Sequence, residues 1–387
     1  MASRLPVPSS ALPPGLGARR LCRRGLLALC AVLLALATVA APARAELRLT
    51  DLTGREVVLE APARRLLIDD GRFLVALALI QPDPVSVLAA WPRDINRLGK
   101  NTYEAYRATF PAIDQLAKVA SSAGAISVEQ VVAARPDLAV FSLGAQPSAE
   151  ERARIEAAGI PVVVIDFFTH PLANTEPSLR LLGVATGAPA KAEAFLAYRR
   201  AHLDAVTARL ADLPAPQRPR VFLEPHAAMT ADCCNSPGRG NVGEIIEAVG
   251  GANIGAAVIP RAFGKLNLEY VIAQDPQVYI ATGGSHMEGT GGLLIGPEYS
   301  PARARETLAK VIARPGFADL AAVKDKRVYG LSHQMLNSAL DLFAVEILAK
   351  WIHPERFRDL DVDATVAEVN QRFLAVPIEG PNWISLD

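Results

Sequence analysis

The chain has 387 residues, enough for two medium-sized domains, and carries 40 Lys plus Arg against 40 Asp plus Glu. The balance is uneven: residues 1–45 hold six arginines and no acid, so the remainder carries 34 basic against 40 acidic side chains, a net of about −6. A mildly acidic main body disfavours nucleic acid and anionic membrane as partners.

Arg19, Arg20, Arg23 and Arg24 precede an uncharged Leu- and Ala-rich run from Gly25 to Ala41, and Ala43-Arg44-Ala45 follows. A positive region, an apolar stretch and a small-x-small end predict a cleaved signal peptide over 1–45 and a periplasmic protein. Arg23-Arg24-Gly25-Leu26-Leu27 resembles a twin-arginine signal, and an ordinary Arg-rich secretory signal fits equally. Leu29 before Cys30 lacks the small residue that lipid anchoring needs. No later run of about 20 apolar residues occurs, so a soluble mature chain is expected. Cys233 and Cys234 are its only cysteines. Neighbours in sequence close only a strained ring, so buried thiols are expected there, and sulfur is too scarce for a Cys-based metal centre.

From residue 46 on, apolar runs alternate with helical periods. Residues 65–70, 85–90, 138–142 and 162–166 are predicted strands, and 148–158 and 176–186 predicted helices. The alternation resumes beyond residue 218, with strands at 220–223, 277–281 and 327–331. Near-continuous apolar strands separated by helices predict α/β layers with mostly parallel sheets. Between the two halves, Phe195, Leu196, Arg199, Leu203, Val206, Leu210 and Leu213 recur at steps of three and four, after Pro189 and before Pro214. The spacing predicts one helix of roughly 24 residues, about 36 Å long and stiff enough to join two lobes. The expected organisation is an N-terminal lobe at 46–187, the helix at 188–213, a C-terminal lobe at 214–353 and an extension at 354–387.

Residues 127–140 align without gaps on residues 267–280. Each copy opens with a helix-capping residue (Ser127, Asn267), has a first-turn glutamate (Glu129, Glu269), and ends in Pro and a strand. Duplication or shared topology of two lobes is the expectation.

Several stretches resemble the periplasmic iron-siderophore and cobalamin binding proteins of ABC importers. They are Asp51–Leu59 with Pro62 and Arg65, Glu129–Val140, Val249–Ile254, Glu269–Ile280 and Lys326–Tyr329. The segment Ile80-Gln-Pro-Asp-Pro-Val-Ser-Val departs from the family pattern after the first helix. The resemblance implies two Rossmann-like lobes joined by a rigid helix, no enzymatic activity, and a monomer docking on importer membrane subunits. It also implies that Glu129 and Glu269, one per lobe, face those subunits.

Motifs for a nucleophile elbow, a phosphate loop and a His-Glu-x-x-His zinc site are absent from the sequence. Ligands in open α/β sheets bind beyond the carboxyl ends of the strands, where His170, His226, His286 and His333 all fall. Arg72, Trp91 and Arg93 fall just beyond strands too, Arg261 lies beside Phe263 in a loop of the second lobe, and all four suit a bulky anion through forked hydrogen bonds and aromatic packing. The expected ligand is a ferric siderophore-type complex held by Arg72, Trp91, Arg93, His226, Arg261, His286 and His333, with no resident cofactor. Haem or cobalamin on the same fold is the alternative, as is a bare metal ion on His226, His286 and His333.

Overall fold

The computed structural model describes residues 46–386 apart from 231, 232 and 337, together with residues 1, 2 and 6. The predicted signal peptide otherwise lies outside the described residues. Among them, no helix is long and apolar enough to cross a membrane.

Two short strands open the fold, β1 (Leu47–Thr50) and β2 (Glu56–Leu59), paired antiparallel with Leu47 opposite Leu59. Asp51 holds their turn by accepting from the Thr53 and Arg55 amides at 2.9 and 3.1 Å. Five parallel strands follow, β3 (Leu66–Ile68), β4 (Leu88–Trp91), β5 (Ala117–Lys118), β6 (Leu138–Ser142) and β7 (Val162–Ile165), in the order β5-β4-β3-β6-β7. β3, β4 and β7 are buried along their whole length, because helices cover both faces of the sheet.

The second lobe repeats the plan with β8 (Arg220–Glu224), β9 (Asn235–Pro237), β10 (Ala252–Asn253), β11 (Phe263–Lys265), β12 (Val278–Gly283), β13 (Val328–Ser332) and β14 (Trp383–Ser385). Its sheet runs β10-β8-β12-β13-β14, parallel except for β14, while β9 and β11 form a separate antiparallel ribbon.

The internal echo is a structural repeat. Ser127 accepts from the Gln130 amide and Asn267 from the Tyr270 amide, each capping a seven-residue helix, Val128–Ala134 or Leu268–Gln274. Each helix ends on a left-handed residue, Arg135 or Asp275, and the chain then enters β6 or β12.

The joining helix is Pro189–Ala208, 20 residues and not the 24 expected. The apolar period runs on because Leu210 stays buried in a tight turn, with the Leu213 amide donating to the Leu210 carbonyl at 3.0 Å. Leu210 is therefore core but not helix. The helix packs between Pro171–Ala185 of the first lobe and Asp341–Ile352 of the second. One apolar core runs from Leu66 through Phe195 to Leu348.

Residues 354–387 are woven into this arrangement. Helix Val362–Arg372 is capped by Asp361, and the following Phe373 meets Phe195 edge-on at 5.3 Å. The Ala375 amide donates to Ala78 in the first lobe, and β14 then closes the second sheet. Cys233 and Cys234 are joined by a disulfide, where buried thiols were expected.

Candidate functional site

The carboxyl ends of both sheets face a cleft of about 930 Å³. From the first lobe, Asp70, Arg72, Arg97, Ser122 and Phe168 line it. From the second come His226, Arg261, Phe263, Lys265, His286 and His333.

On the first-lobe wall, Asp70 leaves β3 buried and gathers two guanidinium groups. Arg72 donates from Nε and Nη2 at 2.8 and 2.6 Å, and Arg97 from Nη1 at 2.7 Å. Burial alone would raise the Asp70 carboxyl, but the charge and hydrogen bonds of Arg72, with Arg97, reverse this and hold it well below the carboxylate range. Asp70 thus pairs with both guanidinium groups, and Asp94 lies 4.0 Å from Arg97 as a second acid beside them. A Cβ at Gly71 would lie 2.3 Å from Asp94 Oδ1, the oxygen that accepts from the Gly71 amide at 3.0 Å. Burial pushes the neighbouring carboxyls up, Asp69 to about 7 and Asp94 to about 6.

The second-lobe wall is built on Thr282 of β12. Its hydroxyl accepts from the His226 amide at 3.1 Å and lies 2.9 Å from His333 Nδ1. His226 sits at φ 50°, which turns its ring toward the next loop, where its Nδ1 lies 2.7 Å from His286 Nε2. The His226 and His333 ring centroids are 3.9 Å apart. Burial drives all three imidazoles down, His226 to about 4 with help from His286, and His333 well below the usual range. All three are therefore neutral at pH 7. His286 Nδ1 is buried without a hydrogen-bond partner. Among the described residues no group of three or more His, Cys, Asp or Glu side chains is placed to hold a metal ion. The His226–His286 contact is a direct hydrogen bond with no space for an ion between the nitrogens.

Phe168, beyond β7, and Phe263, on the β9–β11 ribbon, meet across the lobes at 5.7 Å between centroids. Arg261 is exposed beside them and has no ion-pair or hydrogen-bond partner for its side chain among the described residues. The lobes are also clamped at one edge. Glu244 accepts from the Leu172 amide at 2.9 Å and contacts His170 Nδ1 at 3.1 Å.

Of the residues expected at the ligand, Arg72, His226, Arg261, His286 and His333 line the cleft, whereas Trp91 and Arg93 do not. Trp91 closes β4 with its ring fully buried against Tyr103 at 6.0 Å. Arg93, at φ 54°, turns away and donates to the Asp114 and Leu116 carbonyls at 2.7 Å each. His170 serves the interlobe clamp. Sequence reasoning missed Arg97, four residues past Arg93, and Phe168, two residues before His170. Glu129 and Glu269 stand exposed on the outer faces of the repeated helices, with Glu129 2.8 Å from Arg154.

A family model described as periplasmic binding protein matches residues 76–335. The chain belongs to that family, whose members are extracytoplasmic substrate-binding proteins of ABC transporters and not enzymes. It is 26% identical over 314 residues to the molybdate-binding protein MolA of Haemophilus influenzae, covering 75% of this chain and 79% of MolA. The TroA-like periplasmic binding protein FepB of Veillonella parvula superposes with a TM-score of 0.79 at 24% identity, over 88% of this chain and 100% of FepB. A periplasmic haem-binding protein from Pseudomonas aeruginosa superposes with a TM-score of 0.52 at 20% identity, over 76% of this chain and 93% of that one. These structural likenesses establish the fold.

Proposed function

We propose that the cleft captures a bulky anionic metal chelate of the ferric siderophore type and delivers it to the membrane subunits of an ABC importer. The observation that carries this reading is a cleft of about 930 Å³ with net cationic walls. Arg72, Arg97, Arg261 and Lys265 outweigh Asp70 and Asp166 there, and the three imidazoles are neutral. Organic ligands of drug size occupy pockets of roughly 300–1,000 Å³. Guanidinium groups suit carboxylate, catecholate and hydroxamate oxygens through charge-assisted hydrogen bonds. Phe168 and Phe263 offer ring faces to the organic part.

A second reading, a small oxyanion, is favoured by the relatedness to MolA. Such an anion would leave most of the cleft to water. The visible spectrum of the protein purified from iron-limited cells separates these readings and the haem and cobalamin alternatives. A broad ferric charge-transfer band is expected. A Soret band, a corrin spectrum, or a colourless protein carrying molybdenum would each replace the proposal.

A further inference from the structure

Beside the cleft lies a second, smaller cavity of about 80 Å³. Three segments wall it: Leu98 and Tyr106 from the first lobe, Ile295 and Leu340 from the second, and Leu374 and Val376 from the C-terminal segment. All six side chains are buried. Polar groups around it are mostly spent elsewhere. The Tyr106 hydroxyl reaches the Leu74 carbonyl at 3.5 Å, Ser338 Oγ takes the Leu340 amide at 3.3 Å, and Glu298 Oε1 takes the Asn101 amide across the lobes at 3.1 Å. Interiors close-pack, so an apolar void of this size forfeits contacts on every wall unless something enters it.

Arg72, Arg97 and Gln334 line both this cavity and the main cleft. The two arginines are fixed by Asp70, and the apolar side chains of the three segments line the cavity behind them. One water needs roughly 10–15 Å³ on this scale, so the cavity takes about five to eight non-hydrogen atoms of similar size. We propose that it is a specificity site for a short apolar arm carried by the ligand whose anionic chelate occupies the cleft. The inference rests on the proposed function for the identity of that chelate. The C-terminal segment, through Leu374 and Val376, thereby takes part in ligand selection.

The test uses the ferric complexes of catechol and of 4-butylcatechol, which share metal and donor atoms and differ by one butyl chain. Ala105→Leu and Val376→Phe fill the cavity from opposite walls, and thermal melts establish that each variant folds. The butyl complex is expected to bind the unaltered protein at least about tenfold more tightly, since buried methylenes each favour binding. In both filled variants that preference should fall below about threefold while catechol-complex affinity stays unchanged. Equal affinities in the unaltered protein, or a preference that survives filling, overturns the inference. If neither complex binds, the proposed function fails, and butan-1-ol then decides the cavity. A concentration-dependent rise in melting temperature that both filled variants lose upholds an apolar-arm site. No rise, or the same rise in the variants, overturns it.

Discussion

Arg199 and Asp341 form a buried, two-pronged ion pair between the joining helix and the second lobe, at 2.8 Å from Nε and 2.6 Å from Nη2. Both side chains are almost wholly out of solvent, 4% and 1% exposed, so neither charge can be rehydrated if its partner is removed. Asp341→Ala is expected to destabilise the protein by about 3–5 kcal/mol, and Arg199→Met with Asp341→Leu by much less. Urea unfolding of the three proteins measures both. A single mutant no less stable than the double mutant would mean the pair is solvated.

The same packing bears on motion. The helix Pro189–Ala208 is held on both sides, Glu244 clamps the lobes at one edge, and residues 373–385 cross from Ala78 to β13. Hinge bending must break several of these contacts together, so closure on ligand should be small. Solution scattering should give the same radius of gyration with and without ligand. A clear contraction would show that the lobes hinge.

The histidine trio sets an acid limit. His226 titrates near 4 when folded, against about 6.5 unfolded, because burial, then His286, disfavours its cation. Between those pH values the unfolded chain binds the extra proton, so this residue lowers stability as pH falls from about 6.5 toward 4. His226→Gln should flatten that part of the stability–pH curve relative to the unaltered protein. Equal slopes would mean that the ring is hydrated.

The repeat places Glu129 and Glu269 at equal positions on two capped helices, both exposed. Part of a first-turn glutamate's value is the helix dipole alone, about 0.3–1 kcal/mol. Paired charges on an outer rim mainly tune encounter and orientation. Glu129→Gln with Glu269→Gln should leave ligand affinity unchanged and strongly reduce uptake by cells. Normal uptake would reduce both residues to helix capping, and weakened ligand binding would move the site away from the cleft.

The sheets were legible because strands covered on both faces read as unbroken apolar runs, as in Val162–Ile165, and the repeat because Ser127 and Asn267 are strong caps. The site was legible only in part. Position beyond a strand end does not say which way a side chain turns: Trp91 points into the core, and Arg93, itself left-handed, swings outward. Arg97 reaches the cleft because Asp70, distant in sequence, draws it there. β14 has three residues, too few for any period, and its place follows from pairing with β13.

The central claim is capture of an anionic ferric chelate between Arg72 and Arg261, and titration calorimetry of the exported protein tests it most directly. The titrants are ferric catecholate, iron-free catechol, molybdate and Zn²⁺, each against the unaltered protein and Arg261→Ala. Tight binding of the ferric complex alone is expected, weakened by about 1.5–3 kcal/mol in Arg261→Ala, the worth of a charge-assisted hydrogen bond. Tight binding of molybdate or Zn²⁺ with no heat from the ferric complex would contradict the account.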